Sequence, residues 1–336
     1  MRIGIDAMGG DRAPVEEAKG ALAARMLLGK EDRIVLIGRE PAIREQLRHA
    51  ADWRDFIEIR HAEQVILMDD PPVEALRTKL DSSITVMARM QKEGLIDACI
   101  SAGNTGACVA AATMHLRRLR GVHRPGIAVV VPTLSGPVAL CDVGANVDCR
   151  PQHLHQYGVM ASVYANVVCG VQNPRVALLN IGAEDAKGNE LVKRTRQLLK
   201  EDPGVRFVGN VESRDLFRGV CDVVVCEGFV GNVVLKLIEG MAEGVIRTMV
   251  EELTRSAPSQ LDAIKETARS IMMKFDFNEY GGAPLLGVDG ICIICHGASD
   301  YRGFKNAIGV AMDFSKHHVN ERITQLLSHH QGLVNG

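Results

Sequence analysis

Aromatic side chains are scarce in this chain: one tryptophan, four tyrosines and eight phenylalanines among 336 residues. The core must therefore be built from Val, Ile, Leu, Ala and Met. An excess of charge of one sign is also missing, since 39 Lys and Arg against 41 Asp and Glu leave a formal charge of −2. Without bulk positive charge, the electrostatic attraction that dominates nucleic-acid binding is absent, and no nucleic-acid partner is expected. No apolar run approaches the roughly 18 residues of a membrane-spanning helix. Residues 1–8 hold an arginine, a carboxylate and no long apolar stretch, so a secretory signal is not expected and a cytoplasmic location is. There is no Walker sequence, no Gly-x-Gly-x-x-Gly, no internal repeat and no low-complexity linker.

What is present is the balance of a globular protein, 46% apolar and 24% charged. Of nine cysteines, Cys99, Cys108, Cys141, Cys169, Cys221, Cys226, Cys292 and Cys295 lie in or beside apolar runs, where thiols act as small hydrophobes and stay reduced. Short Val/Ile-rich segments followed by turn residues recur at 2–8, 34–37, 98–100, 127–131, 138–142, 176–181, 207–209, 223–226 and 290–296. Stretches of helical spacing lie between them, at 14–28, 83–92, 154–168, 189–199 and 232–253. Apolar strands alternating with helices predict an α/β fold, a doubly wound and largely parallel sheet in one domain over 1–330. One excursion interrupts it: helical pieces at 245–254 and 261–275, joined by Ser256-Ala257-Pro258-Ser259, predict a helical hairpin spanning 245–277. It reads either as a solvated surface excursion or as a dimerisation or peripheral membrane-contact element, because Ile271, Met272, Met273, Phe275 and Phe277 form an apolar cluster.

Ligands of an open parallel sheet bind beyond the carboxyl ends of its strands. There the sequence places Asp6-Ala7-Met8-Gly9-Gly10-Asp11 and the turn Ser101-Ala102-Gly103-Asn104-Thr105-Gly106, which leads into an Ala-rich helix. A small, Gly-containing turn at a helix start offers amide donors to phosphate, although Ser101 or Thr105 could equally cap an ordinary turn. The theme repeats at Asp142 to Asn146, Asn180 to Glu184, Glu227 to Asn232 and His296 to Asp300, and these turns are expected to converge on one sheet edge. Lys187 and Lys236 follow two of them and could supply charge to an anion. Cys292 and Cys295, three apart in a strand, point to opposite faces and make no metal pair. His153 with His155, His317 with His318, and His329 with His330 lack companion ligands at metal spacing. No metal and no cofactor is expected.

The stretches Ile5 to Asp11, Asp70-Pro71-Pro72-Val73-Glu74-Ala75, Asp81-Ser82-Ser83, Ser101 to Ala107, Asp142 to Asp148, Asn180-Ile181-Gly182, Lys187-Gly188-Asn189-Glu190-Leu191, Gly228 to Lys236 and Tyr280 to Leu286 resemble the signature blocks of the bacterial acyl-carrier-protein:phosphate acyltransferases, in family order to about residue 315. The resemblance implies a sheet akin to those of phosphotransacetylases and isopropylmalate-type dehydrogenases. It also implies a homodimeric cytoplasmic enzyme of phospholipid synthesis that takes an acyl group from acyl-carrier protein to inorganic phosphate. A membrane glycerol-phosphate acyltransferase would receive the product. The block Ala183-Glu184-Asp185-Ala186-Lys187 is less acidic than the family pattern, which bears on position 183 and leaves Lys187 untouched.

A thioester needs only a positioned phosphate and a stabilised oxyanion. The expected phosphate site is the Ser101 to Gly106 turn with Asn104 and Lys187. Asn180, Asn232 or amides near Gly231 are the expected oxyanion donors, and Asp6 or His296 would set the protonation of phosphate. Gly9, Gly10, Asp142, Asn146 and Lys236 complete the expected substrate-binding set. Arg117, Arg118, Arg120, Lys193, Arg194 and Arg196 are candidates for docking an acidic carrier protein, or form solvated helix faces. A dehydrogenase or phosphotransacetylase on the same fold, and a non-catalytic membrane scaffold, remain as alternatives.

Overall fold

The computed structural model describes residues 1–274 and 277–334. The chain begins with β1 (Arg2–Asp6), α1 (Val15–Ala23), β2 (Arg33–Gly38), α2 (Glu40–Leu47), β3 (Ile57–His61), α3 (Pro72–Thr78), α4 (Ser83–Lys92), β4 (Ala98–Ser101) and α5 (Thr105–His115). Then come β5 (Gly126–Thr133), β6 (Gly136–Cys141), α6 (Pro151–Val167), β7 (Val176–Leu179), α7 (Glu190–Glu201), β8 (Phe207–Val211) and β9 (Val223–Val225). The remainder is α8 (Gly228–Ser256), α9 (Leu261–Lys274), β10 (Ala283–Leu286), β11 (Ile291–Ile294), α10 (Tyr301–Lys316) and α11 (Val319–Val334).

Among the described residues, eleven strands form one sheet in the order β3-β2-β1-β4-β11-β10-β5-β6-β9-β7-β8. Both faces are covered. Ile3, Ile5, Ile34, Leu36, Ala98, Ile100 and Ile293 pack on one side with Ala18 and Ala21 of α1 and Phe304 and Ile308 of α10. Their alternate neighbours Val35, Ile37, Cys99, Cys292 and Ile294 pack on the other with α4 and α5. Side chains of opposite direction that are all buried give unbroken apolar runs, which is why these strands are legible. Cys292 and Cys295 fall on opposite faces, as the two-residue strand period requires.

Two strands are additional to those expected. β3 is an edge strand whose Glu58 and Arg60 dilute its apolar signal. β10 contains Pro284, which argues against a strand within a sheet, yet it pairs with β11 and β5. The helical pieces at 232–253 and 245–254 are one helix, α8, so the hairpin is α8 turning into α9. Of its expected apolar cluster, Met272 is exposed and Ile271 half-buried. The side chains of Met273, Phe275 and Phe277 lie outside the described residues, as do those of His329 and His330.

Strand direction corrects the expected convergence of the polar turns. β10 runs antiparallel to β11 and to β5, and β5 antiparallel to β6, while every other pairing is parallel. β6, β9, β7 and β8 therefore run opposite to β1, β2, β3, β4 and β11. The turns after β1, β4 and β11 emerge at one edge, and those after β6, β7 and β9 at the other.

Candidate active site

At the first edge the polar groups are turned inward. Asp6 is fully buried; its carboxylate accepts hydrogen bonds from Ser101 Oγ at 2.7 Å and the Met8 amide at 3.1 Å. Burial pushes its pKa up, against these bonds. Ser101 Oγ also accepts from the Gly103 amide at 3.0 Å. Gly9 lies so close that a Cβ there would sit 2.6 Å from the Gly103 nitrogen, and the Gly10 amide donates to buried Glu17 at 3.1 Å. Asn104 caps α5 by accepting from the Ala107 amide at 3.0 Å. Its Nδ2 donates to the carbonyls of Leu67, Met68 and Asp70 at 3.0, 3.2 and 3.1 Å. Thr105 and Gly106 are exposed, and a Cβ at Gly106 would meet Pro72 at 2.7 Å. The turn expected to cradle phosphate is also a structural lock: the Asn104 side chain and the Gly103 and Ala107 amides have partners, while the amides of Asn104, Thr105 and Gly106 have none among the described residues. His296, beyond β11, is exposed, and its Nδ1 accepts from the Ala298 amide at 3.2 Å.

At the second edge the sequence separates builders from free groups. Asp142, fully buried, accepts from the amides of Ile127, Gly144, Ala145 and Asn146 at 2.9, 3.2, 3.0 and 2.8 Å. Burial still raises its pKa. Asn146 Nδ2 donates to the Pro125 carbonyl at 2.6 Å and to the Tyr157 hydroxyl at 2.9 Å. Both side chains are engaged in shaping the loop, so the expected binding role of Asp142 and Asn146 would fall to the loop they hold. The start of α8 is pressed onto this loop: a Cβ at Gly228 would lie 2.6 Å from the Asn146 carbonyl oxygen, and one at Gly231 would run into that of Asp142. Glu227 caps α8 by accepting from the amides of Phe229 and Val230 at 2.6 and 3.0 Å.

Among the described residues, Asn232, Lys187 and Lys236 have no side-chain hydrogen bond or ion pair, and neither do the carboxylates of Asp148 and Glu184. Asn232 faces Gly144, 3.9 Å from a Cβ built there. Asn180, beyond β7, accepts from the Ile181 amide at 2.9 Å and donates to the Lys187 carbonyl at 3.2 Å, folding the loop back on itself. Gly188, at φ +95°, has no room for a side chain against Asn180. Lys187 is exposed. Since β6, β9 and β7 are neighbours in that order, the loops carrying Asn232 and Lys187 are neighbours as well.

Helix α8 has three faces. Val234, Leu235 and Ile238 pack against the core. Asn232, Lys236 and Glu239, spaced by four and three residues, form a polar row. Val233, Leu237 and Met241 form an apolar row that is more than half exposed, at 52, 62 and 58%. Glu239 was not expected from the strand-end pattern, though helical spacing from Asn232 points to it. Its half-buried carboxyl is raised by burial and lowered by His296 and Lys236, so α8 reaches from the second edge towards the first.

The cysteines are unsuited to covalent chemistry, since burial pushes Cys292 and Cys295 up to about 12. Among the described residues, no three His, Cys, Asp or Glu side chains are grouped to hold a metal, and no helix is long and apolar enough to cross a membrane.

With the geometry in place, comparison with known proteins is informative. Residues 1–322 match the family described as fatty acid synthesis protein. A phosphate acyltransferase of Heliobacterium modesticaldum is 50% identical over 314 residues, 93% of each chain, and one of Dictyoglomus turgidum is 44% identical over 331 residues, 98% of each. Among solved structures, a phosphotransacetylase from Streptococcus pyogenes shares the fold at 15% identity, with a TM-score of 0.60 over 94% of each chain. A branched-chain phosphotransacylase from Enterococcus faecalis does so at 14% identity and 0.57, over 93% of this chain and 98% of its own. The solved structures share the fold, and the family match with the curated relatives identifies the chain as an acyltransferase that belongs to the fatty acid synthesis protein family alongside the phosphate acyltransferases.

Proposed function

We propose that this enzyme transfers a fatty acyl group reversibly from an acyl-carrier-protein thioester to inorganic phosphate, giving an acyl phosphate for phospholipid synthesis. The observation that carries it is the trio of Lys187, Lys236 and Asn232 on neighbouring loops of the second edge, two ammonium groups and a carboxamide engaged in no hydrogen bond or ion pair among the described residues. Lys187 and Lys236 hold the phosphate dianion, and Asn232 Nδ2 donates to the thioester carbonyl as it becomes an oxyanion. A phosphate oxygen forms the bond to the carbonyl carbon, the C–S bond breaks, and the proton of the phosphate dianion passes through solvent to the leaving carrier thiolate. No enzyme-bound acyl group is needed, and no cofactor. Asn180 acts by positioning Lys187. Asp6 is buried at the opposite edge and is given no proton-transfer role here, whereas His296, which acts on Glu239 together with Lys236, keeps the role of setting the protonation of phosphate.

A cytoplasmic homodimer touching the membrane peripherally, and passing its product to a membrane glycerol-3-phosphate acyltransferase, is proposed with it. The apolar row of α8 supports an added contact surface, since exposed large side chains at helical spacing on a long helix favour burial against another surface. The test is release of carrier thiol from long-chain acyl-carrier protein with and without millimolar phosphate, with hydroxylamine trapping of acyl phosphate. Phosphate-dependent release with a trapped acyl group is expected. Release without phosphate, or none from folded protein, overturns the proposal.

A further inference from the structure

We propose that the cationic shelf formed by Arg118, Arg124 and Arg150, beside the paired rings of His123 and His153, docks the acidic face of the protein that carries the acyl thioester. This rests on the acyltransfer function proposed above and locates its partner.

The shelf is a built surface. Gln156 accepts from the His123 amide at 2.8 Å and donates to the Gly121 carbonyl at 2.8 Å, while Asn146 holds the Pro125 carbonyl at 2.6 Å. The turn bearing His123 and Arg124 is thus fixed both to α6 and to the active-site loop. Arg118 Nη1 donates to the His123 carbonyl, the rings of His123 and His153 are 6.2 Å apart, and the Arg150 amide donates to His153 Nδ1 at 3.2 Å. Arg118, His123, Arg124 and Arg150 are exposed and His153 half-buried.

Its charge is uncompensated. Among the described residues none of the five has a carboxylate within salt-bridge distance, in a chain whose formal charge is −2. Two of the other candidates for docking differ in this respect, since Arg194 pairs with Glu190 at 2.5 Å and Arg196 with Asp185. Burial together with His123, Arg124 and Arg150 pushes the His153 pKa down, so the charge of the shelf is that of its arginines. Holding like charges together costs free energy that an acidic partner relieves, and such patches govern association rate and salt dependence.

Position completes the case. Arg150 ends the loop that Asp142 begins. Along it, the Asn146 carbonyl accepts from the Gly228 amide at 2.8 Å and Gly144 faces Asn232. A partner on the shelf therefore sits one loop away from the trio.

The experiment compares Arg124→Glu, Arg150→Glu and their alanine counterparts with wild type, using two donors with phosphate: long-chain acyl-carrier protein, and the same acyl group on uncharged pantetheine. Folding is checked by circular dichroism and melting. Charge reversal is expected to raise KM for the carrier substrate tenfold or more and to flatten its salt dependence. Alanine should have a smaller effect, and turnover of acyl-pantetheine should be unchanged; Arg194→Glu should do less than either shelf reversal. Equal losses with both donors, or no loss with the carrier, overturn the docking site. Absence of phosphate-dependent turnover by wild type with either donor overturns the acyltransferase proposal instead.

Discussion

Asn180 holds Lys187 by its backbone: the carboxamide accepts from the Ile181 amide at 2.9 Å and donates to the Lys187 carbonyl at 3.2 Å, so one side chain sets where the ammonium group is presented. Replacing Lys187 with Ala should raise KM for phosphate by about tenfold or more, equivalent to about 1.4 kcal/mol of lost binding, with melting temperature unchanged. Asn180→Ala should reproduce part of that rise while leaving the charge in place. A wild-type KM for phosphate in Lys187→Ala would remove the residue from the site.

Asn104 supplies the contrasting case. With its carboxamide tied to the α5 cap and the Leu67–Asp70 carbonyls, Asn104→Ala should cost about 1–2 kcal/mol of stability and leave KM for phosphate near wild type. Denaturant titration and phosphate kinetics on one preparation decide it; a phosphate defect in a protein of undiminished stability would place the Asn104 side chain in the phosphate site.

Gly231 is required for its lack of a side chain, because a Cβ there meets the carbonyl oxygen of Asp142 and main chain cannot swing aside. Gly231→Ala should destabilise by about 3 kcal/mol, at the upper end of the range for forced overpacking, read as a lower urea midpoint at unchanged slope.

Glu17 makes stability depend on pH. Burial, aided by the nearby Asp6 charge, raises its pKa from 4.5 to about 7. The folded state therefore holds this proton more tightly than the unfolded chain. The stabilisation is complete below pH 4.5 and is lost as pH rises through about 7. Glu17→Gln, which stays neutral, should gain relative to wild type from pH 5 to 8, by an amount on the order of 3 kcal/mol at most. Parallel melting curves for the two proteins across that range would show that Glu17 is not the titrating group.

How much of this was legible in the sequence follows from what each signal encodes. Asn180, Lys187 and Asn232 could be found because a polar side chain beside glycine after an apolar run marks a strand end wherever that strand sits. Strand direction leaves no such mark: Val138 to Leu140 reads alike in either sense, so opposite edges looked like one. The role of Asn104 was hidden because its partners lie 34 to 37 residues away on a loop with no pattern of its own. The shelf was hidden for the same reason. Arg118 was recognisable beside Arg117 and Arg120, but only folding brings Arg150 and His153 to it.

The position of β10 and β11 between β4 and β5 has a consequence for how the protein comes into being. Residues 283–294 supply the middle of the sheet, although most of the chain precedes them. Until they leave the ribosome, the half ending at β4 and the half beginning at β5 each keep an unpaired edge, the kind of surface that recruits stray strands. Contacts this distant along the chain form late and slowly. The nascent enzyme is thus two unfinished sheets awaiting a keystone, and its exposure to aggregation ends with translation of its last quarter.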